Sequence, residues 1–209
     1  MTKMLFINFF EYAGTAAFAI SGALLGCKKQ LDYFGIIVLA IVTAIGGGLI
    51  RDVFIGDYPP NALRHPIYIN ISIIAAIVTI LFHRKFTYLG NIILLFDALG
   101  LGAFTALGSN MALQHKMMQP LIVATFGLLT GVGGGIIRDI CANEIPLVFQ
   151  KEIYALASIS GAFVFYYSHH LIPGIHPLYI CFAVTFIIRL VAIIYSLHLP
   201  VITNKMEGS

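Results

Sequence analysis

The sequence Gly-Gly-Gly-Leu-Ile-Arg-Asp at residues 46–52 has a near copy, Gly-Gly-Gly-Ile-Ile-Arg-Asp, at residues 133–139. Both copies lie inside long apolar stretches. Three consecutive glycines destabilise a helix by about 1 kcal/mol each relative to alanine. An arginine or an aspartate inside a membrane span costs about 2.5–3.5 kcal/mol on insertion scales. Because the chain carries both liabilities twice, in matching places, we expect the motif to serve function as well as structure.

The composition of the whole chain places these motifs in a membrane. Of the 209 residues, 59% are hydrophobic and 10% are charged, and the mean hydropathy is +0.94. Soluble domains carry about 25% charged residues, so we expect an all-α polytopic membrane protein. A net charge of +3 without a long basic run argues against nucleic-acid binding. The chain shows neither a nucleotide-binding motif nor a Ser-His-acid arrangement, and we therefore expect no enzyme activity, no cofactor and no metal site.

Seven segments are apolar and long enough to cross a bilayer, which needs about 20 helical residues. They lie at roughly 5–26, 33–56, 66–83, 88–110, 119–141, 152–170 and 177–198. The first apolar run is interrupted by Glu11 and continues to Leu25. This length favours a retained first span over a cleaved signal peptide.

The first three spans and the next three share a sequence pattern. Phe-Glu-x-x-Gly at residues 10–14 matches Phe-Asp-x-x-Gly at residues 96–100, and the triple-glycine motif follows in both cases. Since a unit of three spans crosses the membrane an odd number of times, its second copy must enter from the opposite side. We therefore predict two inverted three-helix repeats, residues 1–86 and 87–172, then a seventh helix with a short cytoplasmic tail, residues 173–209.

Basic residues in the connections predict the orientation. The side that holds the N-terminus carries Lys3, Arg64 and Lys116. The other side carries twice as many, namely Lys28, Lys29, Arg84, Lys85, Lys151 and Lys205. We therefore expect the N-terminus outside and the C-terminus in the cytoplasm.

Two interpretations of the glycine triplets are open. The glycines can unwind the helix, which frees backbone groups that only protein or a water-filled cavity can satisfy. Alternatively, they permit close helix packing, as small residues do at many membrane helix interfaces. Because three consecutive residues point around a helix rather than along one face, we favour broken helices in spans 2 and 5 that line a path.

The charged pair after each triplet needs neutralisation. Arg51 and Asp52 are sequence neighbours, and neighbours do not face each other on a helix. Under the inverted symmetry, crossed pairs of Arg51 with Asp139 and of Arg138 with Asp52 are one solution. The other is that both arginines extend to a membrane interface.

Two further acids and one further arginine lie within the spans. Glu11 and Asp97 occupy equivalent positions in spans 1 and 4. Each is a candidate acidic cation site, or alternatively a cap near the end of its span. Arg189 lies deep in span 7, outside the repeats, where we expect it to pair with a carboxylate or a carbonyl rather than to serve permeation.

The doubled motif, with a proline and then a basic residue after each copy, resembles the prokaryotic branch of the trimeric intracellular cation channel family. The resemblance covers residues 5–198. It implies a homotrimer in the prokaryotic inner membrane, in contact with membrane lipid, with one pore per subunit for monovalent cations, mainly potassium with some sodium. The pathway residues carried over by position are Gly46, Gly47, Gly48, Arg51, Asp52, Gly133, Gly134, Gly135, Arg138 and Asp139.

Two functions follow from this sequence. The first is a passive cation channel, in which broken helices expose carbonyl groups along a path with acids near its ends. The second is a secondary transporter of a small zwitterion such as glycine, since inverted repeats with glycine-broken helices suit a carrier equally well, and prokaryotic relatives have been regarded as such transporters. A purely structural role ranks third, because intramembrane charges would then only destabilise the protein.

Overall fold

The structure is a computed structural model that describes residues 2–87, 91–150 and 153–197. Within these ranges the chain forms helices and no strand. The helices are α1 (Thr2–Lys28), α2 (Tyr33–Ile55), α3 (Asn61–Arg64), α4 (Ile67–Thr87), α5 (Ile92–Gln114), α6 (Pro120–Cys141), α7 (Leu147–Gln150), α8 (Ile153–Leu171) and α9 (His176–Ile194).

The seven long helices α1, α2, α4, α5, α6, α8 and α9 correspond to the seven predicted spans. In the part of the chain that the structure describes, five stretches are long and apolar enough to cross a membrane: Ile7–Lys28, Tyr33–Ile55, Ile92–Gln114, Pro120–Cys141 and His176–Ile194. Helix α4 contains a shorter apolar stretch, Ile67–His83, and α8 carries polar residues near its C-terminal end. The short helices α3 and α7 lie in the two connections that follow the glycine motifs.

Helices α1 and α5, the first helix of each repeat, pack against each other through a reciprocal contact. A Cβ atom placed on Gly100 would overlap the Phe18 ring, and one placed on Gly14 would lie 3.3 Å from the Phe104 ring. The two phenylalanine rings stack with centroids 5.4 Å apart and an interplanar angle of 6°. Each repeat therefore uses its glycine to receive the phenylalanine of the other, as a twofold relation requires.

Helices α2 and α6 cross through the two glycine motifs in the same reciprocal way. A Cβ on Gly47 would lie less than 3.0 Å from the carbonyl oxygen of Thr130, and a Cβ on Gly134 would lie equally close to that of Thr43. Both helices continue without interruption through their triplets. The prediction of glycine-broken helices is therefore wrong, because the missing side chains allow the two backbones to approach while the helical hydrogen bonds stay intact.

A pair of loop residues shows how the two repeats are oriented. The ammonium of Lys29, after α1, lies 2.9 Å from the carboxylate of Glu144, after α6. The four long helices α2, α4, α5 and α6 separate these loops, and an even number of crossings returns the chain to the same side. This placement agrees with three-helix repeats of opposite direction, and the predicted fold class of seven membrane helices is confirmed.

The seventh long helix, α9, packs mainly against α5 and α8 of the second repeat. At its N-terminal end, Tyr179 and Phe182 also contact the ring of Phe10 on α1, with centroid distances of 5.1 and 5.5 Å. The two repeats therefore have different surroundings, since α9 covers much more of the second than of the first.

Candidate functional site

The first polar cluster forms where α2 ends. Nε and Nη2 of Arg51 each lie 2.8 Å from Oδ1 of the neighbouring Asp52. The second oxygen of Asp52 accepts a hydrogen bond of 2.8 Å from the backbone N–H of Asn61, at the start of α3. The Arg51 and Asp52 side chains are only 4% and 1% exposed. One carboxylate therefore neutralises its sequence neighbour and holds the short helix against the end of α2.

The second polar cluster repeats this arrangement where α6 ends. Nε of Arg138 donates to Oδ1 of Asp139 over 2.8 Å, and Oδ2 of Asp139 accepts from the backbone N–H of Leu147, at the start of α7, over 2.9 Å. The motif aspartates thus have the same two partners in both repeats. A shared role in anchoring the connection explains why the aspartate recurs with the arginine.

The crossed pairs predicted from symmetry, Arg51 with Asp139 and Arg138 with Asp52, do not form, and that prediction is wrong. Helices α2 and α6 run in opposite directions from their crossing at Gly47. Each arginine lies about one helical turn beyond the crossing, so the two separate by up to about 12 Å along the helix axes. Both arginines are buried, so the alternative that they extend to an interface does not hold either.

The acids Glu11 and Asp97 belong to these same clusters. The hydroxyl of Tyr68 donates to Oε2 of Glu11 over 2.5 Å, and the hydroxyl of Tyr154 donates to Oδ1 of Asp97 over 3.3 Å. The separation between acid and tyrosine is 57 residues in both cases. Neither acid lies at the end of its helix, so neither acts as a cap.

The second cluster contains additional bonds around Arg138. Its Nη1 lies 2.6 Å from Oδ1 of Asp97 and 2.7 Å from the hydroxyl of Ser21. Asp97 is completely buried, and Arg138 is 1% exposed. The structure therefore closes this cluster by direct hydrogen bonds between α1, α5 and α6.

An open pocket lies beside the first cluster. Its lining includes Glu11, Gly48, Arg51, Asn61 and Tyr68, and its empty volume, with the open mouth included, is about 340 Å³. The hydroxyl of Tyr68 also accepts a hydrogen bond of 3.2 Å from the side-chain amide of Asn61. The pocket therefore presents a carboxylate, a guanidinium, a hydroxyl and an amide to any small polar occupant.

The second cluster has no equivalent space next to its glycine. A Cβ on Gly135 would lie 2.7 Å from the hydroxyl of Tyr154, whereas a Cβ on Gly48 would have only Arg51 nearby, at 3.8 Å. The tyrosine of the second repeat thus occupies the position that stays empty in the first. The two related sites are in different states, one open and one sealed.

Arg189 of α9 reaches the sealed cluster. Its guanidinium carbon lies 4.9 Å from the centroid of the Tyr154 ring, and the residue is 1% exposed. Among the described residues, Nε and Nη2 of Arg189 have no hydrogen-bond partner, and neither has Oδ2 of Asp97. The expected pairing of Arg189 with a carboxylate or a carbonyl is therefore not made by these two nitrogens.

The residues that complete the clusters were not among those predicted from the sequence. Tyr68 and Tyr154 each lie 57 residues after the acid of their repeat in the sequence. The pattern that the two repeats share therefore extends into their third spans, and it could have revealed both tyrosines. Ser21 and Asn61 have no counterpart that could reveal them. Their roles depend on the packing of helices that are distant in sequence.

Comparison with protein-family models and curated proteins gives a consistent result. A family model described as glycine transporter matches the chain twice, at residues 8–84 and 94–170. The UPF0126 inner membrane protein YadS of Escherichia coli K12 is 40% identical over 206 residues, which span 97% of this chain and 99% of YadS. The similarity therefore extends over both repeats and the seventh helix.

Two solved structures have the same architecture. A prokaryotic TRIC channel in 0.5 M KCl superposes with a TM-score of 0.88 at 34% identity, over 94% of this chain and all of that one. The TRIC trimeric intracellular cation channel orthologue from Rhodobacter sphaeroides gives a TM-score of 0.86 at 31% identity, over 91% and 98% of the two chains. Both likenesses extend over more than nine-tenths of this chain.

Proposed function

The chain belongs to the prokaryotic branch of the trimeric intracellular cation channel family, and from this premise we propose that it is a monovalent cation channel whose entrance is the open pocket beside Arg51. The observation that carries the proposal is the charge of that pocket. Glu11 and Arg51 line the pocket, and Asp52 is paired with Arg51, so that these three groups together leave a formal charge of −1. A negatively charged mouth with low-dielectric walls concentrates cations.

The motif arginines are compatible with cation passage because each is neutralised by its own neighbour. A free guanidinium in the path would repel potassium, but Arg51 is bonded to Asp52, and Arg138 to Asp139 and Asp97. The carboxylate of Glu11 is free of such a pair, since its described partner is the neutral hydroxyl of Tyr68. It is therefore the acid that we assign to the entering cation.

We further propose that the ion passes between the two clusters, past the residues of both motifs. Of the six motif glycines, Gly48 lines the pocket, whereas Gly47 and Gly134 lie in the closed α2/α6 crossing. A conducting state then requires these helices to separate at the crossing. In this proposal potassium and sodium permeate, each subunit of a homotrimer in the inner membrane has its own pore, and the N-terminus lies outside.

Unitary current from the purified protein in a planar bilayer tests the proposal. With a KCl gradient across the bilayer, we expect a reversal potential close to that of a cation-selective pore. The Glu11→Gln variant is expected to lower both the potassium conductance at low salt and the cation selectivity. Glu144→Gln is the matched control, because it removes an exposed carboxylate that does not line the pocket. Silent bilayers for the folded wild-type protein would contradict the proposal.

A second candidate, a carrier for a small zwitterion, is favoured by one observation. The same pocket places a carboxylate, Glu11, and a guanidinium, Arg51, on its lining, and these groups match the ammonium and carboxylate ends of an amino acid such as glycine. Saturable uptake of labelled glycine into proteoliposomes, without unitary current, is the result that would select the carrier over the channel.

A further inference from the structure

The two polar clusters, which symmetry makes equivalent, differ by one charge. The first contains Glu11, Asp52 and Arg51, with a formal charge of −1. The second contains the counterparts Asp97, Asp139 and Arg138 and also lies next to a fourth charged group, Arg189 of α9. The seventh helix thus brings the second cluster to a formal charge of zero.

Arg189 lies against the aromatic ring of the second cluster. Its guanidinium lies over the face of Tyr154, 4.9 Å from the centroid, which is a favourable place for a cation. The hydroxyl of that tyrosine is bonded to Asp97. Two nitrogens of the guanidinium and Oδ2 of Asp97 lack hydrogen-bond partners within the described ranges, and all three atoms are buried. A buried cation is stabilised by opposite charge in its neighbourhood, and Tyr154 connects Arg189 to the carboxylate of Asp97.

We propose that the Arg189 guanidinium is a built-in cation, which supplies to the second cluster the positive charge that a permeating monovalent cation supplies to the first. The inference rests on the cation-channel proposal for the role of the first cluster. It makes Arg189 a residue that determines where cations bind, because its charge leaves the second cluster neutral, while the Tyr154 hydroxyl fills the space beside Gly135. In the first cluster the equivalent tyrosine, Tyr68, contacts Tyr12, and the open pocket beside it is available to a cation from solution.

The inference predicts that removal of the Arg189 charge creates a second potassium site. The test uses the purified full-length protein with Glu11→Gln, so that the first site is weakened, and compares it with the same protein carrying Arg189→Gln. Thermal unfolding is followed while KCl replaces N-methylglucamine chloride at constant ionic strength. We expect the double variant to be stabilised by potassium at a concentration about tenfold or more below that needed by Glu11→Gln alone.

Two further variants keep the test independent of folding defects. Arg189→Lys retains the charge and should show no new potassium dependence. Asp97→Asn combined with Arg189→Gln removes both charges, so it should fold even if Arg189→Gln alone does not, and should also lack the new site. Equal potassium dependence with and without Arg189→Gln would overturn the inference, as would failure of the Asp97→Asn combination to restore folding. Absence of unitary current in the wild-type protein would instead refute the channel proposal, because the unfolding measurement does not depend on conduction.

Discussion

The glycine triplet of α2 contains two adjacent glycines with opposite structural demands, and this allows a sharp test of its role. A methyl group on Gly47 would lie less than 3.0 Å from the backbone oxygen of Thr130. This oxygen cannot rotate away, so α2 and α6 would have to separate. A methyl group on Gly48 would find its nearest atom, on the flexible side chain of Arg51, at 3.8 Å. That distance is an ordinary van der Waals contact.

The expected magnitudes follow from these distances. Alanine is better than glycine in a helix by about 1 kcal/mol, and a buried overlap of this kind destabilises by about 1–3 kcal/mol. Because the obstacle at Gly47 is backbone, the upper end of that range applies, and Gly47→Ala should lose about 2 kcal/mol net. Gly48→Ala should gain up to about 1 kcal/mol. For a chain of this size 1 kcal/mol corresponds to roughly 2–4 °C, so the two variants should differ by roughly 6–12 °C in unfolding midpoint.

Circular dichroism during a thermal scan in mild detergent measures the difference. Gly134→Ala serves as the symmetry-related variant and should behave like Gly47→Ala, since its methyl group would meet the carbonyl oxygen of Thr43 in the same way. Equal destabilisation by Gly47→Ala and Gly48→Ala would refute the reasoning. It would show that the triplet acts through backbone flexibility rather than through the close crossing.

Two other variants probe the second cluster and the orientation of the repeats. Ser21→Ala should destabilise the protein by about 1.5–3 kcal/mol, because its hydroxyl is a buried acceptor for the charged Arg138 at 2.7 Å. Ser109→Ala loses only a 3.4 Å bond to a backbone carbonyl and should cost less than half as much in the same unfolding assay. Equal losses would count against the assignment. Cysteines placed at Lys29 and Glu144, in a background without the native cysteines, should react with a short bis-maleimide to give an internal crosslink visible on a gel. Absence of this crosslink in folded protein would contradict the placement of the two loops on the same side.

The architecture could be predicted because it depends on counts and periods that the sequence displays directly. The apolar stretches define the helices, and the odd number of spans in the unit requires inversion whatever the side chains do. The positions of Glu11 and Asp97 in equivalent clusters likewise follow from the repeat. Packing at the glycines could not be derived in the same way, because it depends on which face of α2 meets α6. A run of three glycines fits a broken helix and a close helix crossing equally well.

The pairing of the charges was predicted wrongly for an identifiable physical reason. Side chains that projected rigidly from a helix would point apart at neighbouring positions such as Arg51 and Asp52. A long arginine side chain can instead bend back to the carboxylate that follows it. The aspartate is held in place by the backbone of the next helix, through the N–H of Asn61, and this bond involves a connection whose path cannot be read from helical periodicity.

The position of α9 over only one of the two clusters has an electrical consequence. A path between two identical mouths conducts equally in both directions, whereas the proposed channel has a formal negative charge at the mouth beside Arg51 and none at the mouth beside Arg189. Cations would then enter more readily from the side of Glu11 than from the side of Asp97. A channel of this construction should rectify, with a current–voltage relation that is asymmetric in symmetrical salt and becomes more linear as high ionic strength screens the charged mouth.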